Sequence, residues 1–168
     1  MKWSVQQLAA FKNKGLHIEE SVDVSEVKEI DREIREITPV QVKGDGYFSS
    51  KTVTFNLEIS GSMTLPCART LNDVEYPFTI NAREIFQLDE WATFEEDDEV
   101  HELEDNTVDL LPYVKERILL EKPMRVFSEE DEGPAPKSGK DWELKTKDED
   151  QTKMDPRLKE LEKFFDNN

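Results

Sequence analysis

Cysteine and histidine are scarce in this chain of 168 residues: Cys67 stands alone, and the only histidines are His17 and His101. A single cysteine excludes an internal disulfide and any multi-cysteine metal site. Two histidines leave a cysteine or serine nucleophile without a convincing base. Glycine is also sparse, and no glycine-rich loop suited to cradling a phosphate occurs. No run approaches the roughly 20 apolar residues of a membrane span. The start, Met1-Lys2-Trp3-Ser4-Val5, lacks the apolar core of a signal peptide, so a cytoplasmic location is expected. Basic residues are outnumbered 22 to 39, for a formal charge of -17. A chain so acidic repels nucleic acid at long range and suits a basic partner, such as a ribosomal protein.

What is present falls into clear patterns. Ser4 and Gln7 have capping-box spacing, Trp3 and Leu8 have staple spacing, and Gly15 marks a stop, which predicts a short N-terminal helix. Residues 16–24 alternate loosely through Leu16, Ile18, Val22 and Val24, as a strand would. Residues 25–36 read as a helical turn or a charged strand, with Val27, Ile30 and Ile34 on the helical period. Residues 37–48 read as a strand, with Gly44-Asp45-Gly46 as a turn. Val53, Phe55, Leu57, Ile59, Met63, Leu65 and Cys67 then occupy odd positions with polar residues between them. That is a long period-2 strand, with Gly61 in its inward row predicting a bend or bulge. A second such run passes through Val74, Tyr76, Phe78, Ile80 and Ala82, joined by a hairpin connection at Arg69 to Asp73. A helix is predicted at 109–120, capped by Asp109, with Leu110, Val114 and Ile118 on one face and Pro123 as its stop. Asp155, Pro156, Leu158, Leu161 and Phe165 pattern a C-terminal amphipathic helix.

Cys67 ends an inward-facing row, where free cysteine packs as a small hydrophobe. Arg69 lies in the following turn, which exposes it to solvent or to a partner. Residues 89–109 hold eleven acids and no Lys or Arg. They contain no glycine, so they do not match a calcium loop. They read as a solvated loop or as a docking surface for a basic segment. In the docking reading, Glu95, Glu96, Asp97 and Asp98 supply the field, and Trp91 and Phe94 the anchors. Lys115, Arg117, Lys122 and Arg125, with Arg83, make a modest basic group. It is an ordinary helix face or an RNA footprint.

Several segments, taken in order, resemble the YceD family, the large ribosomal RNA subunit accumulation proteins. They are "TPVQVKGDGYF", "CARTL", "YPFTI", "TVDLLPYVKERILLEKPMRV", "GPAPKSGKDWEL" and "DPRLKELEKFF". Many members carry C-x-R-C-L at the hook; Cys67, Arg69 and Leu71 match, and Thr70 replaces the second cysteine. Many also carry a later patch, C-x3-C-x-G-L-C-P-x-C-G. Gly133, Pro136 and Gly139 keep its spacing, while Phe127, Asp131, Ala135 and Ser138 hold the cysteine positions. That set cannot make a usual zinc site, so any metal role of the family is expected to be lost here. The resemblance implies a part in accumulating 23S ribosomal RNA and the large ribosomal subunit.

The sequence therefore predicts an α+β fold. A curled antiparallel sheet, open or in part barrel-like, packs with N-terminal, 109–120 and C-terminal helices. Residues 1–125 form the core domain, 126–154 a flexible acidic, Pro- and Gly-containing linker, and 155–168 the last helix. The expected function is non-enzymatic: support of 23S rRNA accumulation and large-subunit biogenesis by binding a basic ribosomal protein or the pre-ribosomal large subunit. Partner contacts are assigned to Cys67, Arg69, Trp91, Phe94 and residues 95–98. The alternatives are direct rRNA binding through Arg69, Arg83, Lys115, Arg117, Lys122 and Arg125, or an RNA-processing enzyme. No cofactor, metal, membrane or small-molecule substrate is expected.

Overall fold

The alternating rows become strands of an antiparallel-dominated sheet. The computed structural model describes residues 1–89, 99–136 and 138–143. In chain order the elements begin with β1 (Lys2–Ser4), α1 (Val5–Phe11), β2 (Leu16–Val22), α2 (Val27–Ile30) and β3 (Glu36–Ile37). The long strands follow, β4 (Val40–Phe48), β5 (Thr52–Pro66) and β6 (Asp73–Gln87). Then come β7 (Val100–His101), β8 (Thr107–Asp109), α3 (Leu111–Glu121), β9 (Ser138–Gly139) and β10 (Trp142–Glu143). The main sheet runs β2-β4-β5-β6-β7 and does not close; β3 pairs beside β4 on β5. Among the strands of the described residues only β7 is parallel to its neighbour, at Ile85 and Phe86. No helix of the described residues is long and apolar enough to cross a membrane.

One face of the sheet is the core. Val53, Phe55, Leu57, Ile59, Met63 and Leu65 from β5 are buried with Phe78, Ile80, Ala82 and Phe86 from β6. Leu8 of α1, Val27 of α2, and Leu110, Val114 and Ile118 at α3 cover them. The opposite face is polar and carries no helix among the described residues. The N-terminal helix forms as expected: Ser4 Oγ accepts the Gln7 amide, and Gln7 Oε1 accepts the Ser4 amide. Gly15 ends the turn at φ +75.

Several expectations need correction. Gly44 and Gly46 make no turn, because β4 runs straight through them. A Cβ on Gly44 would lie 2.3 Å from the carbonyl oxygen of Asn56, so this glycine allows two backbones to approach. Gly61 causes no bulge: it pairs with Phe78 in an unbroken register from Thr52 to Pro66. Its missing Cβ makes room for Val40 Cγ1, which would be 2.8 Å away. Of the three positions on the helical period in 25–36, Val27 and Ile34 are buried but Ile30 is 66% exposed, since α2 is only one turn. Asp109 is not the N-cap of α3. Leu110 takes that position, and Asp109 Oδ1 accepts the Leu111 amide at 3.0 Å.

The described part of the acidic stretch is more than a loop. β8 pairs with β1, Val5 N–H donates to Asn106 O at 3.0 Å, and Leu110 N–H donates to Met1 O at 3.0 Å. The chain start is thereby sewn to the entry of α3. Residues 90–98 and 144–168 lie outside the described residues, and with them Trp91, Phe94, Glu95, Glu96, Asp97, Asp98 and the C-terminal helix.

Candidate functional site

The hook between β5 and β6 is a tight turn built around sulfur. Leu71 N–H donates to Cys67 O at 3.0 Å, and Cys67 N–H to Asn72 O at 2.8 Å. Closing the turn puts Leu71 at φ +62, a conformation that costs a leucine free energy. Cys67 is fully buried. Its Sγ accepts the amides of Arg69 and Thr70 at 3.4 Å and of Ser128 at 3.3 Å. Burial pushes the thiol up, but the bonds from Thr70, Ser128 and Arg69 outweigh it and bring the pKa from 9.0 to about 6.

Residues 126–135 lie along this hook. Ala68 N–H donates to Val126 O at 2.8 Å, and Ala135 N–H to Thr70 O at 3.1 Å. Asn72 Nδ2 donates to Glu130 Oε2 at 2.9 Å and to Glu132 O at 2.7 Å. Arg69 pairs with Asp131 at 2.7 Å. Gly133 passes so close that a Cβ there would sit 2.2 Å from Thr70 O. The hook and the patch matched by spacing to the family's cysteines are thus neighbours in space. Their donor set does not fit a zinc ion. One sulfur is saturated by amides, and the facing residues form an ion pair and amide bonds instead.

The second feature lies at the β7 edge. Glu84 continues the inward row of β6 yet carries a carboxylate, 2% exposed. Arg117 Nε donates to its Oε1 at 2.7 Å, and His101 Nε2 lies 2.7 Å from Oε2. The His101 ring sits 4.2 Å from the Tyr113 ring, which packs edge-on against Phe86. Beside this network is a cleft of about 210 Å³ whose walls include Glu102, Glu104, Asp105, Asp109, Lys2 and Tyr113. Burial raises the Tyr113 pKa, and the negative charges of Glu84, Glu104, Glu116 and Asp109 raise it further. Sequence reasoning passed over Glu84; the signal available was an acid at an inward parity position, two residues beyond Ala82.

Most of the basic residues singled out from the sequence are paired with acids of the same chain. Lys115 pairs with Glu26, Arg117 with Glu84, and Lys122 with Asp31 and Glu33. Arg69 is taken by Asp131 rather than held free in solvent. Arg83 and Arg125 are exposed and have no side-chain partner among the described residues. Arg83 stands on the polar face opposite Asn56, at a shallow depression of about 510 Å³ that His17, Lys43 and Asp45 also line.

These features define an acidic α+β protein with a cysteine-centred hook clasped by a later segment. The chain belongs to the family described as large ribosomal RNA subunit accumulation protein YceD, whose model matches residues 55–165. It is similar to the Bacillus subtilis (strain 168) protein named uncharacterized protein YlbN. The two are 45% identical over 167 residues, covering 98% of this chain and 96% of that protein. No solved structure matches the chain.

Proposed function

We propose that this protein is a non-enzymatic factor for 23S rRNA accumulation and large ribosomal subunit biogenesis, and that it acts by holding a basic ribosomal protein. The family description supplies the process. The observation that favours a basic protein over RNA is the state of the cations. Arg69, Lys115, Arg117 and Lys122 are each bound to a carboxylate of the same chain. Phosphate would have to displace those carboxylates. Glu102, Glu104, Asp105 and Asp109, in contrast, line one cleft together with Tyr113, whose ring can face a lysine or arginine. Residues 90–98 extend the same charge in sequence.

Binding of this kind weakens steeply with salt, because exposed charges are screened within about 8 Å at physiological ionic strength. The experiment is titration of the purified chain with basic large-subunit ribosomal proteins at low and high salt. A Glu102→Gln/Glu104→Gln/Asp105→Asn variant is carried beside it. The expected result is a complex that weakens with salt and with the substitutions. Equal affinity under all conditions refutes the mechanism. A 23S to 16S rRNA ratio that stays normal in cells lacking the protein refutes the process. A second reading, direct rRNA contact, rests on Arg83, which has no side-chain partner among the described residues; crosslinks from the polar face to rRNA would favour it.

A further inference from the structure

Among the described residues the outer edge of β6 is open over most of its length. Thr38 and Arg35 donate their amides to Ser62 O and Thr64 O, so the even residues of β5 turn their backbone groups toward β3. The odd residues of β5 therefore bond to β6, through even residues such as Tyr76, Phe78 and Ile80 that stand opposite them. It follows that Glu75, Pro77, Thr79, Asn81 and Arg83 direct their backbone groups away from the sheet. Pro77, which has no N–H to offer, fits that outward position. Among the described residues β7 pairs with this edge only at Ile85 and Phe86. No strand of the described residues lies beside residues 75–83.

We propose that this edge pairs with the same edge of a second copy, antiparallel about Thr79, to make a two-fold dimer with one continuous sheet. The sequence of the edge is self-complementary in that register. Thr79 meets Thr79, and both exchange N–H and C=O. Glu75 meets Arg83 of the second copy and Arg83 meets Glu75, so opposite charges face each other twice on the polar side. Both side chains are exposed. Among the described residues Arg83 has no partner, and Glu75 accepts only the Ser62 hydroxyl, at 3.1 Å. On the core side Phe78 meets Ile80 and Tyr76 meets Ala82. Pro77 meets Asn81 at two symmetry-related places, and each of these pairs loses a hydrogen bond. A register shifted by two residues one way sets Glu75 opposite Asn81 and Arg83 opposite Asp73, a carboxylate that Arg35 already holds. Shifted the other way it sets Glu75 opposite Ile85 and Arg83 opposite Pro77, so the register about Thr79 is the one that gives Arg83 a carboxylate no cation of the described residues occupies. Charge complementarity thus selects a second copy, in one register, over an arbitrary extended peptide.

The test is sedimentation equilibrium of the full chain at physiological ionic strength. The wild-type chain is expected to dimerise. Arg83→Glu turns two attractions into two repulsions and should weaken the dimer roughly tenfold or more. The swapped variant Glu75→Arg/Arg83→Glu should recover it, because the opposite charges meet again. Thr79→Pro removes amides that point to solvent in the monomer. It should therefore abolish the dimer while leaving the circular dichroism of the monomer unchanged. A wild-type chain that stays monomeric overturns the proposal. So does a dimer indifferent to Arg83→Glu and Thr79→Pro, since it must form elsewhere.

Discussion

Replacing Cys67 by alanine tests whether the sulfur is an anion that clasps the hook. Alanine leaves the amides of Arg69, Thr70 and Ser128 without their acceptor. A fully buried unsatisfied amide costs about 1–3 kcal/mol. Thr70 is buried, while Arg69 and Ser128 keep some access to water. The expected loss is therefore ~2–4 kcal/mol at high pH, not three full penalties. The pH dependence is the sharper signature. The folded-state pKa of about 6 lies below the ordinary 9.0, so folding favours the thiolate. That contribution is fully present above pH 9, shrinks as the pH falls toward 6, and is gone below it. At about 1.36 kcal/mol per unit it reaches at most ~4 kcal/mol. Urea unfolding of wild type and Cys67→Ala across this range measures it directly. The stability gap between them should widen as pH rises, and thiolate absorbance in the folded protein should appear near pH 6. A gap that stays flat across the window refutes the anionic clasp, whatever its size.

Two other substitutions examine what the fold buries. Glu84→Ala leaves Arg117 and His101 facing a gap; breaking a buried pair costs about 3–5 kcal/mol. Here the cost should be nearer ~2–3 kcal/mol, because both partners reach water. Faster amide exchange at Val100 and His101 should accompany it, and a loss under ~1 kcal/mol with unchanged exchange counts against a structural role. Gly133→Ala forces a Cβ into Thr70 O and should free residues 130–135 from the hook by ~1–3 kcal/mol. Amide exchange should then rise at Ala135 but not within β5; protection unchanged at both would show that the clasp tolerates the side chain.

Much of this architecture was legible locally. The odd row from Val53 to Cys67 and the even row from Val74 to Ala82 declare two strands with one buried face, because side chains alternate along any strand. The capping box at Ser4 and Gln7 is likewise a matter of neighbours along the chain. The glycines misled for a related reason. Within one strand Gly44 looks like a turn signal; only the neighbouring strand shows that it spares the Asn56 carbonyl a collision. Isolated charges misled in the same way. Lys115 and Arg117 look free on a helix until the fold sets Glu26 and Glu84 against them.

The alternation, the caps, the excess of negative charge and the ordered motifs that carry the resemblance are all legible along the chain. These depend on residues a few positions apart, where periodicity and composition act directly. Only the tertiary structure decided that Ser128 donates to a sulfur sixty-one positions earlier and that Arg69 meets Asp131. It alone made Glu84 a buried junction and, among the described residues, left the outward backbone of residues 75–83 without a neighbouring strand. Such contacts depend on strand order and register, which join distant stretches of chain and leave no periodic trace in either one.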